Sequence, residues 1–320
     1  MISKVHKKFD YDIDFSELDT ANIDVDTFLP YDVYIKQDDD LVIVIKAGTL
    51  IDKRIYNILL SHSIYMPIED EGKQYLNCQN LEEYVRYAKS NSKYCIDLLY
   101  KMNDVFFENF YGSKDYSFNA QDVDGIVRSI IFLVQHNENF VKDNIKHFRN
   151  DSSLKHHSLH VCIYTIYLGN ALDFIETELL DLGVAGYLQD IGLKKIDQSI
   201  VAKDSSLSID EMEDIQKHTL YSIQIVKHNR IHRPDIINGI KHHHENYDGS
   251  GYPDRLNSSH ISKFAAVLSI CDVFDALTCS RPYRKEMSSF EALTHMMKDT
   301  DMAHRFNHQY IKTFIKLLAK

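Results

Sequence analysis

Residues 243–253 of the chain read HHENYDGSGYP. Two adjacent imidazoles and a carboxylate come first, and an Asp-Gly-Ser-Gly run that ends in Tyr-Pro follows them. Glycine and proline are the strongest local markers of turns, and the whole chain holds only 11 and 5 of them. The string therefore predicts a tight loop that opens on two neighbouring metal-ligating side chains, His243 and His244.

Side chains that suit divalent metals lie on both sides of this loop. Thirteen of the 17 histidines follow residue 150, so an imidazole-based site is expected in the second half of the chain. Imidazole nitrogens and carboxylate oxygens together suit Fe, Mn, Zn or Ni. An aspartate between two such sets of ligands can bridge two ions ~3.5–4 Å apart, as in two-metal phosphoryl-transfer sites. The candidate ligands are His157, Asp190, His218, His243, His244 and Asp272.

The sequence around these ligands reads as helices joined by short loops. Ser208 and Glu211 have the spacing of a capping box, and apolar residues follow them at helical intervals. A second helix is predicted over residues 261–280. We therefore expect residues 149–320 to form an all-α helical bundle, which makes the fold class mostly α.

The first part of the chain has a different pattern. Residues 1–24 are acidic and irregular. The runs YDVYIK (31–36) and LVIVIKAG (41–48) flank a short acidic turn and predict a β-hairpin, followed by a helix in 49–63 and a strand in 63–68. Helical spacing resumes near Leu81 and continues to about residue 148. We interpret residues 25–148 as a smaller α+β and helical regulatory region.

Taken in order, the motifs of residues 157–284 resemble the HD-GYP family. His157-Ser158 with Val161 is similar to the HS-x-x-V of HD-domain hydrolases, and GYLQDIG (186–192) stands where the family has LLHDIGK. HHE-xx-DGSGYP is the most specific match, and CDVFDALTCSRPYR (271–284) follows it. The resemblance implies an all-α, metal-dependent phosphodiesterase that opens cyclic di-GMP to a linear dinucleotide, and in some members to GMP.

The resemblance also implies roles for individual residues. Asp190 matches the bridging aspartate of the family. Asp190 and Tyr252 of the GYP loop are the expected catalytic residues. Tyr252, Arg281 and Arg284 match groups that bind the ligand, and the planar guanidinium fork suits phosphate oxygens. One metal site would join Asp190 to His218, His243 and His244, and the other would contain His157 and Asp272.

Two positions depart from the family pattern. Gln189-Asp190 replaces His-Asp, and an amide oxygen is a weak, neutral ligand beside an imidazole nitrogen. Leu193 stands where the family has a lysine directed at the scissile phosphate. The neighbouring Lys194 would point ~100° away on a helix, given 3.6 residues per turn. We expect one metal site to be weakened and one or two divalent ions to be bound.

Composition limits the class of protein and of partner. A net charge of −11 argues against binding of nucleic-acid polymers, which requires a cationic face. No apolar run reaches the ~18 residues needed to span a bilayer, so no membrane partner is expected. Five cysteines without CxxC spacing fit a reducing, cytoplasmic location.

Two functions of different classes remain open. The first is a cyclic di-GMP phosphodiesterase weakened at Gln189 and Leu193. The second is a degenerate domain that binds cyclic di-GMP, or a signalling protein, without hydrolysis. A phosphohydrolase acting on another nucleotide is less favoured because of the GYP loop. Whether the chain is an enzyme is thus uncertain, and the oligomeric state, a homodimer included, stays open.

Overall fold

The computed structural model of the protein describes residues 15–23, 25, 32–37, 40–45, 51–67, 92–137, 139–142, 145, 153–203, 205–279, 286–299 and 302–319. These residues belong to two compact units, Met1–Val105 and Phe106–Lys320. The division lies within one helix, α2 (Ser92–Gly112). The predicted boundary at residue 149 stays a prediction, but the unit that carries the candidate ligands begins earlier, at Phe106.

The first unit contains a four-stranded antiparallel sheet and one short helix. The strands are β1 (Phe15–Leu18), β2 (Val33–Gln37), β3 (Asp40–Ile45) and β4 (Ile64–Pro67), in the order β1-β4-β2-β3, and the helix is α1 (Lys53–Leu59). The core contains Val33, Ile51 and Ile64, which are fully or almost fully buried. The predicted hairpin, helix and following strand are all present.

Strand β1 lies within residues 1–24, a segment predicted to be irregular, and that prediction is wrong at Phe15–Leu18. Phe15–Leu18 pairs antiparallel with β4, so that Phe15 faces Pro67 and Leu18 faces Ile64. A four-residue run is too short to show periodicity, and its partner strand is distant in sequence. The strand is therefore a product of long-range pairing.

The second unit is helical. Its helices, after the end of α2, are α3 (Ala120–His136), α4 (Leu154–Ala171), α5 (Glu176–Leu188), α6 (Gln198–Val201), α7 (Ile209–Gln216), α8 (His218–His228), α9 (Pro234–His242), α10 (Lys263–Thr278), α11 (Ser289–Lys298) and α12 (His308–Ala319). The mostly α fold class is confirmed. The helix predicted to begin near Leu81 lies outside the described residues. Among the described helices, none combines the length and apolar character of a membrane span.

Helix α4 lies at the centre of this bundle and packs against α5 and α10. Its side chains are buried on every face from His157 to Ile166, so it has almost no amphipathic character. Tyr164 and Phe274 form an edge-to-face contact with ring centroids 5.1 Å apart, and Phe274 and Phe314 form another with ring centroids 5.0 Å apart. Two of the candidate ligands, His157 on α4 and Asp272 on α10, thus project from central, tightly packed helices.

Local capping explains where two of the surrounding helices begin. Ser208 and Glu211 form the predicted capping box at the start of α7, and Ser262 accepts from Ala265 at the start of α10. The long helix predicted from residue 208 divides at Lys217 into α7 and α8. This division makes His218 the first residue of α8.

Candidate metal centre

Asp190 is the central residue of the candidate site. It follows α5 directly and precedes a 3-10 turn, Ile191–Lys195. Its Oδ1 lies 3.1 Å from His218 Nε2 and 3.5 Å from His243 Nε2, whereas its Oδ2 lies 3.4 Å from His157 Nε2. The two oxygens of one carboxylate therefore face two different sets of imidazoles.

The orientation of two imidazoles is fixed from behind. His218 Nδ1 lies 2.7 Å from Ile215 O, and His243 Nδ1 lies 2.8 Å from Ile240 O. A carbonyl oxygen only accepts, so each Nδ1 carries a hydrogen, and each Nε2 is the ring nitrogen that faces Asp190 and can offer its lone pair to a cation. The two Nε2 atoms are 3.4 Å apart. Lone pairs that converge in this way suit a cation.

A second group of ligands lies on the other side of Asp190. His157 Nε2 is 3.1 Å from Asp272 Oδ1, and His157 Nδ1 is 2.7 Å from Asp275 Oδ2. The other oxygen of Asp275 lies 3.2 Å from His160 Nδ1. Asp275 therefore orients His157 from behind while Asp272 faces Nε2, the nitrogen that is available to a metal, and carboxylates commonly support ligand histidines in this way.

The ends of several helices bring the candidate ligands together, and Asp272 and Asp275 lie one turn apart on α10. His157 lies in the first turn of α4, His218 begins α8 and His243 follows α9. The Ser222 hydroxyl accepts from Gly192 N at 2.8 Å and donates to Gln189 O at 2.6 Å, so it ties the turn that carries Asp190 to α8. A side chain at Gly192 would meet His218 O at 2.2 Å, which requires glycine there.

The buried carboxylates dominate the electrostatics of the site. Burial by itself raises the pKa of Asp190, but the adjacent imidazoles of His157, His218 and His243 outweigh it and hold the pKa well below its usual value. For His157, burial lowers the pKa, but its hydrogen bonds with the aspartates raise it well above the usual value overall. Burial and the neighbouring His243 hold the pKa of His244 well below its usual value, which leaves this imidazole neutral and able to bind a metal.

The donor set fits divalent metal ions. Asp190 and Asp272 are each only 8% exposed, and Asp190 Oδ1 has no hydrogen-bond partner in the part of the chain that the structure describes. Buried carboxylate charge is costly unless a cation compensates it. Asp190 belongs to two groups of side chains, and within each group the potential ligand atoms lie within 4.8 Å of one another. The first group contains Asp190, His218, His243 and His244, and the second contains His157, Asp190 and Asp272.

The loop of residues 245–256 closes over the first group. The buried Glu245 accepts from Asp254 N at 2.7 Å and from Leu256 N at 2.8 Å. A Cβ at Gly251 would lie 2.4 Å from His244 O, so only glycine permits the loop to approach this closely. Tyr252 stacks on His244 with ring centroids 4.7 Å apart. The loop thus places a phenol directly beside the ligand set.

Comparison with known proteins gives relatives named as phosphodiesterases of cyclic dinucleotides. A cyclic di-GMP phosphodiesterase of Pseudomonas aeruginosa is 31% identical over 163 residues, which is 51% of this chain and 39% of the relative. A cyclic di-GMP phosphodiesterase of Borreliella burgdorferi is 28% identical over 163 residues, 51% of this chain and 42% of the relative. A 3′3′-cGAMP-specific phosphodiesterase of Vibrio cholerae is 31% identical over 147 residues, 46% of this chain and 32% of the relative. The chain therefore spans well under half the length of these relatives.

The likeness extends to the fold and to a family. A solved HDG"Y"P protein from Bdellovibrio bacteriovorus has a TM-score of 0.59 and 17% identity, covering 96% of this chain and 100% of that chain, which shows a shared fold. The family model described as "HD domain" matches residues 135–306, more than half of the 320 residues. This chain belongs to the HD-GYP family. The matched region contains Asp190 and the other ligand candidates.

Gln189 replaces the histidine of the HD-GYP signature and is fully buried beside the second group. Its Nε2 donates to Asp272 Oδ1 at 3.2 Å. Within the described part of the chain, its Oε1 has no hydrogen-bond partner. An amide therefore occupies the position of an imidazole, and it engages one of the carboxylates that would hold the second ion.

Leu193 replaces the HD-GYP lysine and is half-buried in the 3-10 turn. The adjacent Lys194 does not substitute for it. Lys194 Nζ donates to Phe110 O and to Ser113 O, and it lies over the Phe110 ring at 4.4 Å. Carbonyls at and just after the end of α2 thus hold this ammonium, so it is not free to take the place of the missing lysine.

The two predicted ligand-binding arginines, Arg281 and Arg284, lie outside the described residues, and their roles stay predictions. The structure brings together all of the predicted metal ligands and Tyr252. Sequence reasoning missed the contributions of Ser222 and Glu245 because their partners are backbone groups that no side-chain motif identifies.

Proposed function

We propose that this HD-GYP domain is a metal-dependent phosphodiesterase that hydrolyses cyclic di-GMP. The observation that carries the proposal is the position of Asp190, whose two oxygens face two separate groups of metal-binding side chains. The cyclic di-GMP phosphodiesterases among the relatives support the choice of substrate. We also propose a cytoplasmic location, which the free, buried thiols of Cys162 and Cys271 support.

The residues of the site have distinct tasks in this reaction. When bound, the divalent ions would activate a water molecule and neutralise charge on the attacked phosphate. Asp190 would hold the two metal sites at a fixed separation, and Asp275 would keep His157 in its binding orientation. Burial and the nearby carboxylates raise the pKa of Tyr252, so its phenol stays protonated and can donate to a phosphate oxygen. Arg281 and Arg284 would bind the ligand phosphates.

We propose that turnover is weakened. Gln189 offers a neutral amide where an imidazole would complete the second site, and Leu193 cannot stabilise charge at the scissile phosphate. Loss of one stabilising group aimed at the transition state costs on the order of 10²–10³ in rate. One or two ions per chain are therefore expected, with unequal affinities.

The test is turnover of cyclic di-GMP by protein loaded separately with Mn and, anaerobically, with Fe. Appearance of a linear dinucleotide or GMP over many turnovers supports the proposal. Calorimetry on the same samples measures binding. Tight binding without product would contradict the assignment as an enzyme.

A ligand-binding module without turnover is the second candidate, and the Gln189–Asp272 hydrogen bond favours it. Such a module would bind cyclic di-GMP, or contact a signalling protein, through the loop and the first ligand group alone. Metal content separates the two candidates. Two tightly bound ions per chain support the enzyme, whereas a single ion at saturating metal supports the module.

A further inference from the structure

The GYP loop lines one part of a groove of about 430 Å³. One wall comes from α7 and the start of α8, and the other comes from residues 249–255. Tyr252 lines the groove and also stacks on His244 of the first ligand group. Tyr252 therefore borders both the groove and the candidate metal centre. The residues that matter for its chemistry are Glu213, Gln216, Leu220, Tyr252, Pro253 and Arg255.

The groove combines an apolar surface with charged groups of opposite sign. Leu220, which is 41% exposed, and Pro253 supply apolar surface. Glu213 and Arg255 are exposed, and Lys217, which also lines the groove, interacts electrostatically with Glu213. A flat, partly apolar ligand with hydrogen-bonding groups on two edges suits such a groove.

Arg255 has an unusual backbone for a residue with a side chain. Its φ is 55°, in the left-handed region that favours glycine. Glu245 enforces this conformation by accepting hydrogen bonds from Asp254 N and Leu256 N, on both sides of Arg255. An arginine at this position costs stability relative to glycine, and a use for its guanidinium would explain it.

We propose that the groove binds a guanine base of the cyclic dinucleotide, an inference that rests on the proposed function. Guanine presents the acceptors O6 and N7 on one edge, where an arginine can bind bidentately. It presents N–H donors on its Watson–Crick edge, where a carboxylate, which only accepts, can bind them. Arg255 and Glu213 supply these two complementary groups. Adenine has an amino donor in place of O6, so Arg255 would disfavour it.

Calorimetric titration of the metal-loaded protein with cyclic di-GMP, 3′3′-cGAMP and cyclic di-AMP tests the guanine subsite. Wild-type protein is expected to bind cyclic di-GMP at least tenfold more tightly than cyclic di-AMP. Arg255→Gly should weaken cyclic di-GMP binding about ten- to hundredfold, and Arg255→Lys should restore little of it, because a lysine lacks the planar fork. Glu213→Gln should reduce the ratio of the affinity for cyclic di-GMP to the affinity for cyclic di-AMP.

The matched control is Arg230→Gly. Arg230 is also an exposed arginine with a left-handed φ, 63°, but it follows the far end of α8 from His218. The control removes the same charge and relieves the same backbone strain, so cyclic di-GMP affinity should stay within about twofold of wild type. An equal loss in both variants would overturn the inference, as would unchanged binding by Arg255→Gly.

GMP and AMP separate this inference from the proposed function, because GMP carries guanine without a cyclic phosphodiester. Preferential binding of GMP over AMP that Arg255→Gly abolishes supports the subsite even if cyclic di-GMP is not hydrolysed. Hydrolysis of cyclic di-GMP with no effect of either groove variant overturns the subsite and leaves the phosphodiesterase intact. No binding of any guanine nucleotide overturns the subsite as well.

Discussion

Gln189 donates its side-chain amide to Asp272 Oδ1 across 3.2 Å, beside the imidazole of His157. The histidine of the HD-GYP signature would instead offer a lone pair at this place. The amide therefore forms a hydrogen bond with a carboxylate that would hold the proposed second ion.

Restoring the signature should restore the second ion. We expect Gln189→His to raise metal content, measured by mass spectrometry after dialysis, towards two ions per chain. With Leu193→Lys added, cyclic di-GMP turnover should rise by about 10²-fold or more, as expected for recovered transition-state stabilisers. Gln189→Asn, which keeps an amide, is the control. No gain in the double variant would refute the assignment of these positions as the defect.

Asp275→Asn should weaken metal binding without removing a ligand. Each oxygen of Asp275 faces a different imidazole, and an asparagine has only one acceptor for the pair. Metal affinity measured by competition with a chromogenic chelator should fall about 10–100-fold. The control Asp210→Asn changes the same charge at an exposed position. Unchanged affinity in Asp275→Asn would show that His157 needs no support.

Removal of metal should destabilise the helical unit. Binding at a hundredfold excess over the dissociation constant contributes about 2.7 kcal/mol. Addition of a strong chelator should thus lower the unfolding temperature by roughly 5–10 °C, followed by circular dichroism. Re-addition of Mn should reverse the change. An unfolding temperature insensitive to both treatments would contradict tight metal binding.

Gly192→Ala should disrupt the contact between the Asp190 turn and α8. Its new Cβ would meet His218 O at 2.2 Å and Ser222 N at 2.4 Å, and these backbone atoms cannot yield without displacing the helix. We expect the free energy of unfolding, measured with urea, to fall by about 2–4 kcal/mol.

Gly125→Ala is the counterpart within α3. A Cβ at Gly125 would meet no atom within 4 Å beyond the neighbouring backbone of its own helix, among the residues that the structure describes. Alanine should therefore leave stability unchanged or raise it by up to about 1 kcal/mol. Equal changes in the free energy of unfolding for Gly192→Ala and Gly125→Ala would show that the close approach of Gly192 to α8 does not exclude a side chain there.

The sequence predicted the mostly α fold, the N-terminal hairpin and the capping box at Ser208 because each has a local pattern. It also identified the residues that meet around Asp190, because their order matches a known family. It could not predict which atoms orient them. Asp275 lies 118 residues from His157, and Glu245 acts on backbone groups of its own loop, so neither contact leaves a periodic signal.

Arg255 shows the same limit for backbone conformation. Nothing in the letters Asp-Arg-Leu indicates a left-handed residue, since that conformation is normally inferred from glycine or asparagine. Strand β1 was missed for a related reason, because its register is set by a distant strand. Tertiary contacts decide both features.

Tyr252 has one further consequence. The same ring stacks on His244 and lines the neighbouring groove, so nucleotide binding in the proposed subsite and metal binding at the first group would share one side chain and would be thermodynamically linked through it. Linkage is reciprocal: whatever factor the metal contributes to nucleotide affinity, the nucleotide returns to metal affinity. Under the proposed function, a shortage of transition metal would then also weaken nucleotide binding, and the chain would respond to two supplies at once.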